Sequence, residues 1–248
     1  MSSNLITLYD IPNKLPDAPG SPTTWRARYS LNMKKLPYQT IFLELPDIEP
    51  LAKQIGAAPT GTRRDGVTPL YTVPIIHDHA TGAVVSESAA IAAYLDKTYP
   101  SGPTLVPTGT MPLQLAFRDA VSDVFGAFRG FMIEGIAPKL NDRTVEMWKT
   151  RLAEQGVNLD ALFDGEKEKV WEKALTGFAK LDKWFEGNDG PFVMGCEPCF
   201  ADAVLGAFLR YSWAAFGKDS KEWKDIVSWN EGKWVKYLES FAPYETIL

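Results

Sequence analysis

The spacing of hydrophobic and polar positions changes once along the chain, near residue 100. Before that point, short alternating runs interleave with helical ones. Leu5 to Tyr9 (LITLY) is a β-favouring run stopped by Asp10 and a Pro/Gly-rich loop, Ile11 to Pro22. In the following segment, TTWRARYSLNMKK, Trp25, Tyr29 and Met33 recur at helical spacing, with Lys34 and Lys35 where a helix C-terminus favours cations. Tyr38 to Leu45 alternates as a second strand, Ile48 to Gly56 reads as a short helix, and Arg63 to Gly66 as a polar turn. VPIIHD, a tight turn at Thr81-Gly82 and AVVSES predict a hairpin. Ser88 to Tyr99 then predicts an amphipathic helix with Ile91, Tyr94 and Leu95 on one face. The order is βαβα-ββα.

A cluster of Pro, Gly and Thr from Pro100 to Pro112 interrupts the pattern and reads as a linker. Past it, strand signals nearly vanish. Leu113 to Ile136, Val145 to Gln155, Lys167 to Glu186, Asp202 to Phe216 and Trp223 to Phe241 all predict helices. Two domains follow, 1–100 and 113–248, joined by 101–112. Seven of the eight tryptophans lie in the helical half, where packing accounts for most of them.

Composition narrows the function classes. The 248 residues suffice for a sizeable core, and 45% hydrophobic with 23% charged residues is ordinary for a globular chain. A net charge of -5 without a Lys/Arg cluster leaves no footprint for nucleic acid. No readable signal peptide and no apolar run of ~18 residues appears, so the expectation is a soluble cytoplasmic protein with no membrane partner. Cys196 and Cys199 form a CxxC pair deep in the helical half. A redox dithiol belongs after an early strand, and zinc would need ligands from the distant His77 and His79, so a structural role is expected and no metal.

Three local patterns carry the chemistry. Val73-Pro74 opens a strand, where a proline that cannot donate to a ladder is tolerated; a cis bond there would turn the Val73 backbone towards an extended peptide. An ordinary edge proline would look the same. Ser86-Glu87-Ser88 opens the third helix, whose free amides attract an anion, while Glu87 would hold an ammonium group; plain helix capping is the competing explanation. Gly20-Ser21-Pro22-Thr23-Thr24-Trp25-Arg26 joins the first strand to the first helix and offers hydroxyls at another helix N-terminus. A thiol with pKa ~8.5 needs roughly 2.7 kcal/mol of preference for its anion to reach ~6.5. A hydrogen bond to a charged group contributes ~1.5 to 3 kcal/mol and the helix N-terminus ~0.3 to 1, so one hydroxyl and the dipole are enough.

In this order the three patterns resemble the N-terminal domain of the cytosolic glutathione transferases, and the linker and helical half extend the resemblance over the whole chain. SPTTWRARYSL is similar to the serine-type members, above all the bacterial glutathione-dependent β-aryl etherases and the fungal etherase-like class associated with wood aromatics. The resemblance implies a thioredoxin-like domain with a mixed four-stranded sheet, an all-helical second domain, glutathione as co-substrate and a homodimer. It implies that Ser21 holds the sulfur as thiolate, with Thr23 and Thr24 as competitors. Val73 and Pro74 would bind the peptide backbone, Glu87 and Ser88 the γ-glutamyl end, and Lys53 or Arg64 the glycyl carboxylate. Tyr9, Phe125, Phe128 and Met132 are candidates for the wall of an apolar, aromatic co-substrate site, although core packing explains the last three equally well. GCEPCFAD, from Gly195 to Asp202, is similar to the family's capped start of its long core helix, with Cys199 where a Ser or Thr is usual; a thiol accepts poorly, which weakens the box. Two other functions stay open: a carrier of aromatic ligands with little turnover, and an inactive scaffold.

Overall fold

A computed structural model describes residues 5–15, 20–154, 156–157 and 166–248. β1 (Ile6–Asp10) runs parallel to β2 (Tyr38–Phe42), with α1 (Pro22–Met33) crossing between them. After α2 (Leu45–Gln54) and a two-stranded ribbon, β3 (Gly61–Thr62) with β4 (Pro69–Leu70), β5 (Ile75–Asp78) and β6 (Ala83–Ser86) complete the sheet. Its order is β2-β1-β5-β6, mixed, with β5 antiparallel to both neighbours. Every residue of β1 is buried, as a strand covered on both faces must be. α3 (Ser88–Thr98) closes the unit. This is the expected thioredoxin-like arrangement with an all-helical second half.

The ribbon is an addition to the expected elements. Asp65 accepts from the Val67 and Thr68 amides at 3.0 and 2.9 Å, which closes a turn too tight for periodicity to reveal its two-residue strands. β2 ends at Phe42, short of the expected Leu45, because Pro46 starts α2 at its first turn.

The helical half contains α4 (Met111–Ala127), α5 (Arg129–Ile136), α6 (Asp142–Glu154), α7 (Lys167–Trp184), α8 (Phe200–Phe216), α9 (Lys221–Ser228) and α10 (Lys233–Glu239). Two expected helices are each broken in two. Phe128 leaves helical geometry at φ -117°, ψ 24°, separating α4 from α5 within GAFRGF, where Gly126 and Gly130 weaken the helix. Asn230, Glu231 and Gly232 all have positive φ, separating α9 from α10. Gln155, the expected end of α6, lies outside the described residues.

α1 packs against both α3 and α8, so one core runs through both halves. Below it, Arg28 is fully buried and bonds Asp10 at 2.9 Å and Thr40 at 3.0 Å, tying the helix to β1 and β2. Lys34 does not merely cap α1; it is buried against Asp96 at 3.1 Å and the Pro103 carbonyl. At the start of α8, Asp202 accepts from the Cys199 and Val193 amides at 2.9 and 2.7 Å and from the Tyr237 hydroxyl, so the box forms despite the thiol.

Candidate active site

The end of β1 delivers the site loop. A Cβ on Gly20 would collide with the Ile11 carbonyl oxygen, so glycine there lets the loop lie flat on the strand end. The next residue, Ser21, occupies the N-cap position of α1 at φ -145°, ψ 130°, yet its side chain makes no cap bond. Its Oγ lies 2.8 Å from Thr23 Oγ1, and Thr23 donates to the Val73 carbonyl at 3.4 Å. The Val73-Pro74 bond is cis, and the Val73 amide has no partner among the described residues. Thr24 is fully buried and lines no part of the site.

Two cavities meet at Ser21. One, of about 340 Å³, is enclosed mostly by apolar groups: Phe125, Met132, Trp148, Phe208 and Tyr211, with Leu45 and Ile11 facing them. The other, of about 430 Å³, runs past Thr23, Thr72 and Val73 to Arg63, Arg64 and Arg151. Ile11, Ser21, Leu45, Arg129 and Trp148 line both. Burial pushes the Tyr211 phenol well above its ordinary pKa, against the opposing charge of Arg129, so it faces the apolar cavity as a protonated donor. α6 roofs both spaces. Thr144, Trp148, Arg151 and Leu152 recur at helical spacing on its inner face. Thr144 fastens that helix to α2, bonding the Glu44 carboxylate and accepting from the Leu45 amide at 3.1 Å.

The sequence model of the glutathione S-transferase N-terminal domain matches residues 20–98, and that of the C-terminal domain matches 112–244. The chain belongs to the glutathione S-transferase family. It is similar to a glutathione S-transferase of Ceriporiopsis subvermispora solved in complex with glutathione, with 42% identity, a TM-score of 0.91 and 99% of each chain covered. A glutathione transferase from Phanerochaete chrysosporium shares 36% identity over 98% of each chain at a TM-score of 0.90. A glutathione S-transferase-like protein of Aspergillus flavus is 28% identical over 87% of this chain and 83% of its own length.

In this transferase the expected site residues separate into groups. Ser21, Thr23 and Val73 converge, with Pro74 buried behind Val73. Arg64 lines the polar cavity and donates to the Glu154 carbonyl at 2.9 Å. Phe125 and Met132 line the apolar cavity. Glu87 and Ser88 lie outside both cavities: Ser88 is buried at the first turn of α3, and Glu87 is exposed at φ 77°, a conformation costing about 1–3 kcal/mol for a residue with a Cβ. Neither caps α3 with its side chain.

Three placements differ from expectation. Tyr9 is buried under α2 in the cluster that holds Ile11, Ile48 and Ile75, two residues short of the strand end where Ile11 reaches the cavities, and it lines neither of them. Phe128 sits at the α4–α5 break and points into an aromatic core with Trp171, Phe178 and Phe216. Lys53 is largely exposed, pairs with Glu49 at 2.8 Å and stands off the cavity wall, which carries Arg63 and Arg151 beside the expected Arg64. Sequence reasoning missed Arg63, Arg129, Trp148, Arg151, Phe208 and Tyr211. The inner-face spacing of α6 would have pointed to Trp148 and Arg151; nothing local marked Phe208, which stacks on Phe125 at 4.6 Å.

Proposed function

We propose that this transferase activates glutathione for attack on hydrophobic, aromatic electrophiles, aryl ethers among them. Ser21 donates to the sulfur and, with the N-terminus of α1, holds it as thiolate; Thr23 supports Ser21 from behind and donates to it when Ser21 turns to the sulfur. The free Val73 amide and its carbonyl pair with the cysteinyl backbone, and Glu87 with Ser88 receives the γ-glutamyl end. Phe125, Met132, Trp148 and Phe208 hold the co-substrate and exclude water beside Ser21. Glutathione supplies the nucleophilic sulfur for the transfer. The observation that carries this reading is the position of Ser21, on the shared wall of a peptide-sized polar cavity and an apolar one. The complex of the Ceriporiopsis relative with glutathione supports it.

Calorimetry with reduced glutathione and steady-state conjugation of an aryl halide test it together. Binding in the micromolar to millimolar range with turnover is expected, and absence of any heat of binding would remove the reading. The apolar lining of the smaller cavity favours a second reading, a carrier of aromatic ligands; tight aromatic binding without thiol transfer would select it. A homodimer, with 1–100 and 113–248 as its domains, belongs to the same proposal and is read by light scattering.

A further inference from the structure

Among the described residues, four that carry a hydroxyl line the apolar cavity: Ser21, Ser122, Thr144 and Tyr211. Three of these hydroxyls are committed. Ser122 donates to the Arg118 carbonyl at 2.7 Å, Thr144 donates to the Glu44 carboxylate, and Ser21 is bonded to Thr23 at 2.8 Å. The Tyr211 hydroxyl has no hydrogen-bond partner among the described residues, although its side chain is only 8% exposed. Tyr29, Tyr38 and Tyr237, which are also buried, each donate to an acceptor within the protein. Tyr9 lacks one as Tyr211 does, but it lines no cavity. A buried phenol ordinarily finds a partner. The Tyr211 oxygen is not sealed in by protein atoms, as Thr24 Oγ1 and Ser86 Oγ are, and the space beside it is the cavity. Burial keeps its proton in place near neutrality, against the charge of Arg129.

The position of this donor says what it can recognise. Tyr211 follows Phe208 by three residues on α8, so one face of that helix supplies both side chains to the cavity. Phe208 stacks on Phe125 at 4.6 Å, which gives the wall flat apolar surface. In an apolar site a few polar groups fix the orientation of the ligand, and here one neutral donor is uncommitted. A hydrocarbon in the cavity would leave that hydroxyl unpaired and shut off from water, whereas an oxygen acceptor would satisfy it. We propose that Tyr211 determines specificity at this site by donating a hydrogen bond to a carbonyl or ether oxygen of the aromatic co-substrate, so that oxygen-bearing aromatics are selected over hydrocarbons of the same shape. The proposal rests on the reading given above, that the apolar cavity receives the co-substrate, and adds the chemical group by which it is chosen.

Equilibrium dialysis of benzophenone and of 1,1-diphenylethylene against the full chain tests it, because the two share a shape and differ by an oxygen in place of a methylene group. Tyr211→Phe removes only the hydroxyl. It is expected to weaken benzophenone binding about fivefold, the size of one hydrogen bond to a neutral acceptor, and to leave the hydrocarbon bound as before or more tightly. The melting temperature should not fall, since the hydroxyl holds no partner in the protein; a lower one would give the group a structural role and overturn the proposal. Unchanged benzophenone binding in Tyr211→Phe, or an equal loss for both compounds, would overturn it too, as would a wild-type protein that takes up neither. Calorimetry with glutathione separates this outcome from the reading beneath it. Absence of glutathione binding removes the transferase reading, while the contrast between the two aromatic compounds still decides the role of Tyr211.

Discussion

The hydroxyl oxygens of Ser21 and Thr23 lie 2.8 Å apart, and Thr23 also reaches the Val73 carbonyl. With Thr23 donating to Val73, Ser21 donates to Thr23; the proposed function has Ser21 turn its proton to the sulfur and accept from Thr23 instead. Ser21→Ala is expected to raise the pKa of bound glutathione by about 1–2 units, the equivalent of one hydrogen bond to a charged group. Thr23→Val should shift it less, since it removes only the support. Ultraviolet titration of the thiolate reads both. A larger shift in Thr23→Val than in Ser21→Ala would place the donor at Thr23.

Gly20 is expected to tolerate no side chain. Gly20→Ala forces a methyl group onto the Ile11 carbonyl, so the loop must lift and carry Ser21 away from the cavities. Turnover should fall by at least ~100-fold, as for a catalytic group displaced by about 1 Å, while the melting temperature changes modestly. Unchanged kinetics would show that the loop has another resting place.

The two aromatic walls should respond differently. Phe125 is fully buried and stacked on Phe208, so Phe125→Ala is expected to cost about 3–5 kcal/mol in urea unfolding. Trp148 lines both cavities and is only partly buried, so Trp148→Ala should weaken aromatic ligands more than it weakens the fold. Fluorescence binding of an aromatic ligand beside urea midpoints separates the two effects.

Cys199 occupies a hydroxyl's place at the start of α8. Cys199→Ser supplies a better acceptor to the helix amides and is expected to stabilise the chain by up to ~1 kcal/mol. Asp202→Ala removes the group that holds two amides and the Tyr237 hydroxyl, and should cost about 3 kcal/mol or more. Guanidinium unfolding compares them; a destabilised serine variant would mean that thiol packing matters more than the bond.

The acid limb of stability should involve Asp78. Burial works to raise its pKa, but hydrogen bonds from Tyr94 and Tyr99, both 2.6 Å, and from the Ala80 amide outweigh it and hold the carboxyl below the usual range. A depressed carboxylate stabilises the fold above its unfolded pKa of ~3.9, and that contribution is lost as pH falls through the lower folded value. Asp78→Asn is expected to lower stability at pH 7 by about 1–3 kcal/mol and to flatten the decline below pH 4. Urea midpoints from pH 2 to 7 give the slopes.

Much of this was legible in the residues. LITLY, YQTIFLEL, VPIIHD and AVVSES named the four strands of the sheet, since each alternates or runs apolar between turn residues; the helical half followed from periodicity alone. The loop from Gly20 to Thr24, with Val73-Pro74, marked the place of the site because hydroxyls at a helix start and a proline opening a strand are local features. The breaks at Phe128 and Asn230 were not legible, since glycines within an amphipathic stretch weaken a helix without fixing where it ends.

The chain's own order of residues thus determined the fold class, the family and the loop that carries Ser21, all of which depend on neighbours a few positions apart. Tertiary structure decided which side chains share the cavities. Phe208 meets Phe125, Arg151 meets Arg63, and Tyr9 turns into the core because segments far apart in sequence pack at particular angles, and that packing has no signature in any one segment.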